Sequence, residues 1–175
     1  MSRNYVVAGY VSDRHLPELT KEELKKLTHI NIAFGHVRED RIQTGHLQNL
    51  KLLPELKREN PDLTILLSVG GWSAGGFSEA ASTEAGRQAM AESAVRAVTE
   101  YALDGVDLDW EYPCYAEAGI AASPDDKANF TLLLRTMREA LDRQGERDGR
   151  HYWLTIAAGA DQYYIDGTEM AEVQR

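Results

Sequence analysis

Asp104-Gly105-Val106-Asp107-Leu108-Asp109-Trp110-Glu111-Tyr112-Pro113 is the stretch on which the reading of this chain turns. Side chains along a strand alternate between its two faces. Asp107, Asp109 and Glu111 therefore project to one side, and Val106, Leu108 and Trp110 to the other. The second side is apolar and suited to lie under helices. The carboxylates stand about 6.5–7 Å apart along the strand. Such a row is costly to fold, because like charges repel more strongly in a low-dielectric interior. Protons are expected to be shared, with at least one pKa raised. A carboxylic acid that keeps its proton near neutral pH is what general acid catalysis needs. Glu111 is nearest the C-terminal end of the strand, where ligands sit in parallel α/β folds, and is the candidate acid.

Two other readings compete. Acidic alternation on an edge strand can simply face water, but this strand is the fourth of five and is flanked by strong helices. An Asp-x-Asp pair can also hold magnesium. The stretch does not match a calcium loop, which needs Gly at its sixth position and no apolar strand character.

Working outward, five short apolar runs bounded by turn residues read as buried strands: Tyr5–Val11, His29–Val37, Thr64–Trp72, Gly105–Trp110 and Tyr152–Ala160. Helices are expected between them. Thr20 and Glu23 form a capping box at the start of a short helix over Lys21–Leu27. A second helix lies within Leu47–Glu59, with Pro54 in its first turn, and stops before Asn60-Pro61. The third covers Glu84–Ala102, with Met90, Ala94, Ala97, Val98 and Tyr101 on one face. The fourth covers Pro124–Arg143, with Ser123 as N-cap, Pro124 in the first helical position and Asp125-Asp126 at the positive end of the dipole. Phe130, Leu133, Leu134, Met137 and Leu141 form its buried stripe. Gln144–Arg150 reads as a loop, and Met170–Arg175 as a further helix. The alternation β-α-β-α-β-α-β-α-β implies a parallel sheet covered by helices, in one domain over residues 1–175. A five-stranded doubly wound sheet and the first five units of a (β/α)8 TIM barrel both fit.

Composition narrows the function. The chain has 175 residues, 43% hydrophobic and 27% charged, with a net charge of −9. That acidity disfavours nucleic acid and anionic membrane surfaces as partners, but not neutral sugars. No apolar run approaches the roughly 20 residues of a bilayer-spanning helix. The N-terminal apolar stretch is short for a signal peptide, so the chain is expected to be intracellular or to have lost a leader. The single cysteine, Cys114, excludes an intrachain disulfide, and five scattered histidines form no metal motif.

A second motif, Ser68-Val69-Gly70-Gly71-Trp72, ends the third strand. Its glycines, Gly71 among them, let the backbone approach a ligand or the neighbouring strand. No Gly-Lys-[Ser/Thr] follows, which speaks against a phosphate loop. Trp72 either stacks on a sugar ring or fills core.

Ser68-x-Gly70-Gly71 followed one β-α unit later by Asp104-Gly105-x-Asp107-x-Asp109-x-Glu111 resembles glycoside hydrolase family 18, the chitinases and their relatives. The resemblance covers essentially the whole chain and the N-terminal part of that family's (β/α)8 barrel, and it favours the barrel over the doubly wound sheet. It implies that Glu111 protonates the glycosidic oxygen. Asp109 would turn to hold the substrate's 2-acetamido group, whose carbonyl oxygen attacks the anomeric carbon to give an oxazolinium with retained configuration. Asp107 would be the inner charge partner, hydrogen-bonded by Tyr10 and Ser68. Trp72, Tyr112 and Phe34 would line the sugar cleft. The implied ligand is chitin or N-acetylglucosamine oligosaccharides, with no cofactor and no metal.

The family's Met-x-Tyr-Asp motif on strand six does not occur in this sequence. The chain is therefore expected to be a fragment or one half of a two-chain assembly, completed by a C-terminal half or a second chain and of little activity alone. The family is mostly exported, whereas no leader is evident here. Other functions left open by the sequence are an endo-β-N-acetylglucosaminidase, a lectin-like chitin-binding module, and a phosphate- or metal-dependent enzyme on a doubly wound sheet.

Overall fold

A computed structural model of the chain describes residues 5–174. Its strands are β1 (Ala8–Ser12), β2 (His29–Arg38), β3 (Arg41–Gln43), β4 (Thr64–Gly70), β5 (Gly105–Asp109) and β6 (Trp153–Ile156). Its helices are α1 (Lys21–Leu24), α2 (Leu53–Glu59), α3 (Phe77–Ser82), α4 (Glu84–Glu100), α5 (Asp126–Asp148), α6 (Gln162–Asp166) and α7 (Met170–Val173). Short 3-10 turns over Asp13–Glu18 and Leu50–Leu52 complete the order. The sheet runs β1-β2-β4-β5-β6, all parallel, and β3 pairs antiparallel with β2. All five predicted parallel strands are present: β1 starts at Ala8 and ends one residue later than expected, β2 runs one residue further, to Arg38, β4 and β5 end earlier, and β6 is shorter at both ends.

The apolar side of β5 is buried as the alternation requires: Val106 and Leu108 are fully enclosed and Trp110 nearly so. Trp110 lies between Phe77 of α3, stacked at 5.4 Å, and Phe130 of α5, edge-on at 5.3 Å. Burial of this much aromatic area anchors α3 and α5 on the sheet. The predicted stripes hold: Met90, Ala94, Ala97 and Val98 of α4 and Phe130, Leu133, Leu134, Met137 and Leu141 of α5 are all in the core, and Tyr101 packs against it. At the N-terminal end of β5, Asp104 takes Lys57 Nζ at 2.6 Å, pairs with Arg150, and accepts the Ile65 N–H at 2.7 Å. The end of β5 opposite the carboxylate row is thereby fixed.

Several boundaries differ from expectation for physical reasons. The β2–β3 hairpin was not foreseen, because its turn residues Glu39 and Asp40 both adopt φ near +55° without a glycine, at 50° and 57°. α3 has no periodic signature in the sequence, because its six residues are too few to show a period. α5 starts at Asp126, not at Pro124: the Asp126 carboxylate accepts the Ser123 N–H at 2.8 Å, which turns the chain before the helix begins. Ser123 is accordingly not the N-cap; Asp125 is. α5 also runs on through the supposed loop to Asp148, supported by Gln144–Asp148 and Arg138–Asp142 pairs four residues apart, and ends at Gly149 with φ 66°. The expected helix at Met170 is one turn, α7, and Arg175 lies outside the described residues.

Candidate active site

The register of the sheet assembles the site. Across one layer Ser68 of β4, Asp107 of β5 and Thr155 of β6 are aligned partners. Asp107 is 1% exposed. Its Oδ2 accepts the Ser68 hydroxyl at 2.8 Å and the Tyr10 hydroxyl at 3.0 Å, and its Oδ1 accepts the Thr155 hydroxyl at 2.6 Å. Three neutral donors thus converge on one buried carboxylate, which is how an acidic side chain is tolerated in an interior. Thr155 was missed by sequence reasoning. Its signal was present: it is the inward hydroxyl residue of the last strand, in the layer of Asp107.

Two residues further along β5, Asp109 is half-buried. Its pKa rises from 3.8 to about 6, through burial first and then through the charges of Glu111 and Asp107. The expected elevation in the row is present at Asp109. Tyr10 is also pushed up, to about 12, by burial and then by Asp107. Because folded Asp109 holds its proton more tightly than the unfolded chain does, its contribution to stability is greatest below pH 3.8. It is lost as pH rises to about 6 and is constant above. Asp109→Asn should abolish that part of the slope. Unfolding curves of both proteins at pH 4 to 7 test this, and parallel pH profiles would contradict it.

Glu111 leaves β5 at its C-terminal end and, with Tyr10, Asp109, Tyr112 and Ala157–Gly159, lines a hollow of about 370 Å³. The Glu111–Tyr112 peptide bond is cis, as is Ala33–Phe34. The Tyr112 phenol is raised, by burial and then by the charge of Glu111 beside it. Trp72 meets Tyr112 edge-on at 6.3 Å and is 61% exposed. The choice left open for Trp72 is thus resolved as surface, not core. Phe34 and Gly71 line, together with Trp72, a second trough that does not include Glu111 or Tyr112.

The paired glycines serve the backbone. Gly70 has φ 120°, and a Cβ there would stand 2.0 Å from the Asp109 carbonyl oxygen. The Gly71 N–H donates to that same oxygen at 2.9 Å, and a Cβ on Gly71 would meet the Phe34 ring at 3.0 Å. The Gly-Gly pair lets β4 close against β5 where Asp109 sits. Among the described residues no group of three or more His, Cys, Asp or Glu side chains is placed to hold a metal ion.

The profile of glycosyl hydrolases family 18 matches residues 6–175. The chain belongs to that family. Family 18 relatives include chitinase A1 of Niallia circulans, 47% identical over 127 residues, covering 71% of this chain and 18% of that protein. Chitinase B of Serratia marcescens is 32% identical over 166 residues, 84% of this chain and 32% of that protein. Among solved structures, chitinase ChiW of Paenibacillus superposes with a TM-score of 0.90 at 35% identity, over 97% of this chain and 17% of that one. The chitinase domain of the spore coat protein CotE from Clostridium difficile gives 0.84 at 34% identity, over 97% and 47%. The chain thus spans less than a third of the length of these two curated relatives. Its parallel sheet with covering helices is part of an α/β barrel, which settles the choice between the two architectures.

Proposed function

We propose that the protein carrying this chain hydrolyses β-1,4-linked N-acetylglucosamine in chitin or its oligosaccharides, by substrate-assisted hydrolysis with retained configuration. The observation that carries this reading is the grading of one row of carboxylates. Asp107 is enclosed and held by three hydroxyls, Asp109 is half-buried with its pKa raised to about 6, and Glu111 stands in an open hollow.

In this reading Glu111 donates its proton to the glycosidic oxygen as the bond to the anomeric carbon breaks. The carbonyl oxygen of the substrate's own acetamido group forms the new bond to that carbon, and the leaving sugar departs as an alcohol. Positive charge then rests on the oxazolinium ring. Asp109, holding the acetamido N–H, offsets that charge, and does so best where water is excluded. The charge of Asp107 is one of the causes that raise the pKa of Asp109, so it favours a proton on Asp109 until that residue turns to the acetamido group. Water, deprotonated by Glu111, opens the ring on the face the leaving group vacated. No protein nucleophile is needed, in keeping with the exception this family makes to the two-carboxylate scheme.

The outer edges of β1 and β6 are unpaired among the described residues, and an open cavity of about 750 Å³ borders β6 beside Trp153, Leu154 and Ile156. In this reading further strands, from the same polypeptide or a second chain, close the barrel there.

The test uses the whole protein on chitin oligosaccharides and on their de-N-acetylated counterparts. The acetylated substrate should react faster by at least about 10²-fold, the effect of losing an intramolecular nucleophile. Nuclear magnetic resonance of the first-formed product should show the β-anomer. Equal rates on both substrates, or an α-anomer first, would overturn the proposal.

A further inference from the structure

The three hydroxyls on Asp107 are not equivalent. Its Oδ2 accepts from both Ser68, at 2.8 Å, and Tyr10, at 3.0 Å. Its Oδ1, among the described residues, accepts from Thr155 alone, at 2.6 Å. A carboxylate oxygen offers about two lone-pair sites. Oδ2 is therefore full, and Oδ1 has one site left. We propose that Thr155 is a positioning residue for the proton of the carboxylate row: by donating to the one oxygen of Asp107 that is open to Asp109, it keeps that proton on Asp109 and leaves Asp109 free to turn towards the substrate. The inference rests on the function proposed above and deepens it, adding a residue that acts through Asp107.

The geometry gives the reason. Asp107 is 1% exposed, which excludes bulk water as a further donor. Asp109 lies two residues along the same face of β5. A protonated Asp109 folded inward is the remaining donor within the row, and Oδ1 is the oxygen on which its proton can land. A bare Oδ1 would draw that proton strongly, and the two carboxyl groups would lock together around it. A hydroxyl already donating to Oδ1 satisfies part of its charge and weakens the pull on a second hydrogen.

No cation takes that role. None of the ion pairs among the described residues includes Asp107, Asp109 or Glu111. The phenols that face the row are Tyr10 of β1, Tyr164 of α6 and Tyr112, on which Asp161 also acts. Burial is the first cause that raises each of them, Tyr10 and Tyr164 to about 12, so all three are neutral where carboxylates titrate. The other charges on Asp109 are those of Glu111 and Asp107 themselves. Neutral donors therefore decide where the proton rests, and Thr155 is the donor on the oxygen that matters.

The sheet aims Thr155 at this task. It is the register partner of Asp107 on β6. Its branched side chain has few rotamers, so the strand itself points the hydroxyl. Ser68 is fully enclosed and Tyr10 lines the Glu111 hollow, whereas Thr155 borders the cavity beside β6. Of the three donors it can be changed without altering the outline of the hollow.

The test compares two variants in the whole protein: Thr155→Val, which keeps the branched shape and removes the donor, and Thr155→Ser, which keeps the donor. Thr155→Val should lower kcat on chitin oligosaccharides about tenfold near neutral pH with KM within about twofold, the scale of one hydrogen bond to a charged group. The acid limb of its pH profile should move to higher pH by about one unit, because losing a donor to the charged form favours the protonated row. Thr155→Ser should stay within about twofold of the unaltered protein and keep the limb in place. Carbon nuclear magnetic resonance of labelled aspartate carboxyls follows the same titration without turnover. A purely structural role would lower kcat alike at every pH. An unmoved limb and titration in Thr155→Val, or an equal loss in Thr155→Ser, overturns the inference while the proposed function stands. If the titration moves as expected but the unaltered protein hydrolyses no chitin oligosaccharide, the proposed function falls and the placing of the proton by Thr155 stands.

Discussion

Glu111→Gln is expected to lower kcat on chitin oligosaccharides by about 10²–10⁴-fold, the usual contribution of a positioned general acid. The dissociation constant of the same sugars should stay within about threefold, since the group removed acts in the transition state and not in the ground state. Glutamine matches glutamate in length and shape, so the hollow formed with Tyr10, Asp109 and Tyr112 keeps its outline. What it loses is a proton that can be given to the leaving oxygen. It also removes one of the charges that raise Asp109. The Asp109 titration should therefore move to lower pH in the variant, a readout that mere damage to the fold does not mimic. Steady-state kinetics of the whole protein, paired with equilibrium binding, measure the split. A variant that turns over at the original rate, or one that loses binding while hydrolysis of the remaining complex is unchanged, contradicts the assignment.

The legibility of this site in the sequence has a simple source. Period-two alternation in residues 105–111 states at once which side chains share a face, and the structure places Val106, Leu108 and Trp110 in the core accordingly. Helical stripes in α4 and α5 are equally plain, because long elements repeat their pattern several times. Information that depends on register between distant strands is not written locally. Thr155 reaches Asp107 only because β6 aligns with β5 at that residue, so its inward place in the strand can be read locally but its partner cannot. The raised pKa of Asp109 was also hidden: it depends on that side chain being half-buried near the charges of Glu111 and Asp107. The division of the predicted cleft residues between hollow and trough likewise follows from how the loops after β2 and β4 stand, which no local motif encodes.

Asp126→Ala should destabilise the fold by about 3 kcal/mol. Asp126 was read from the sequence as a charge favouring the start of a helix, but it is fully enclosed. Its Oδ1 accepts the Ser78 hydroxyl of α3 at 2.7 Å, and its Oδ2 accepts the Ser123 N–H at 2.8 Å and the Cys114 N–H at 3.2 Å. No cation lies among these partners, so the carboxylate is held by three neutral donors and by the positive end of the 23-residue α5. Removing it leaves the buried Ser78 hydroxyl and two partly buried backbone N–H groups without their acceptor. Each such orphan costs about 1–3 kcal/mol, less whatever relaxation recovers. Ser78→Ala removes only one of the three bonds and should cost about 1 kcal/mol. The asymmetry between these two variants in urea unfolding is the test: equal losses would mean that the backbone bonds to Asp126 carry no weight. Cys114 is three residues beyond Glu111, so the same carboxylate ties down the loop that carries the proposed acid. Asp126→Asn keeps the shape but turns an amide N–H₂ towards groups that are themselves donors. It should therefore lower kcat more than it raises KM, at temperatures where the protein remains fully folded, because an acid held less firmly spends less time in line with the leaving oxygen.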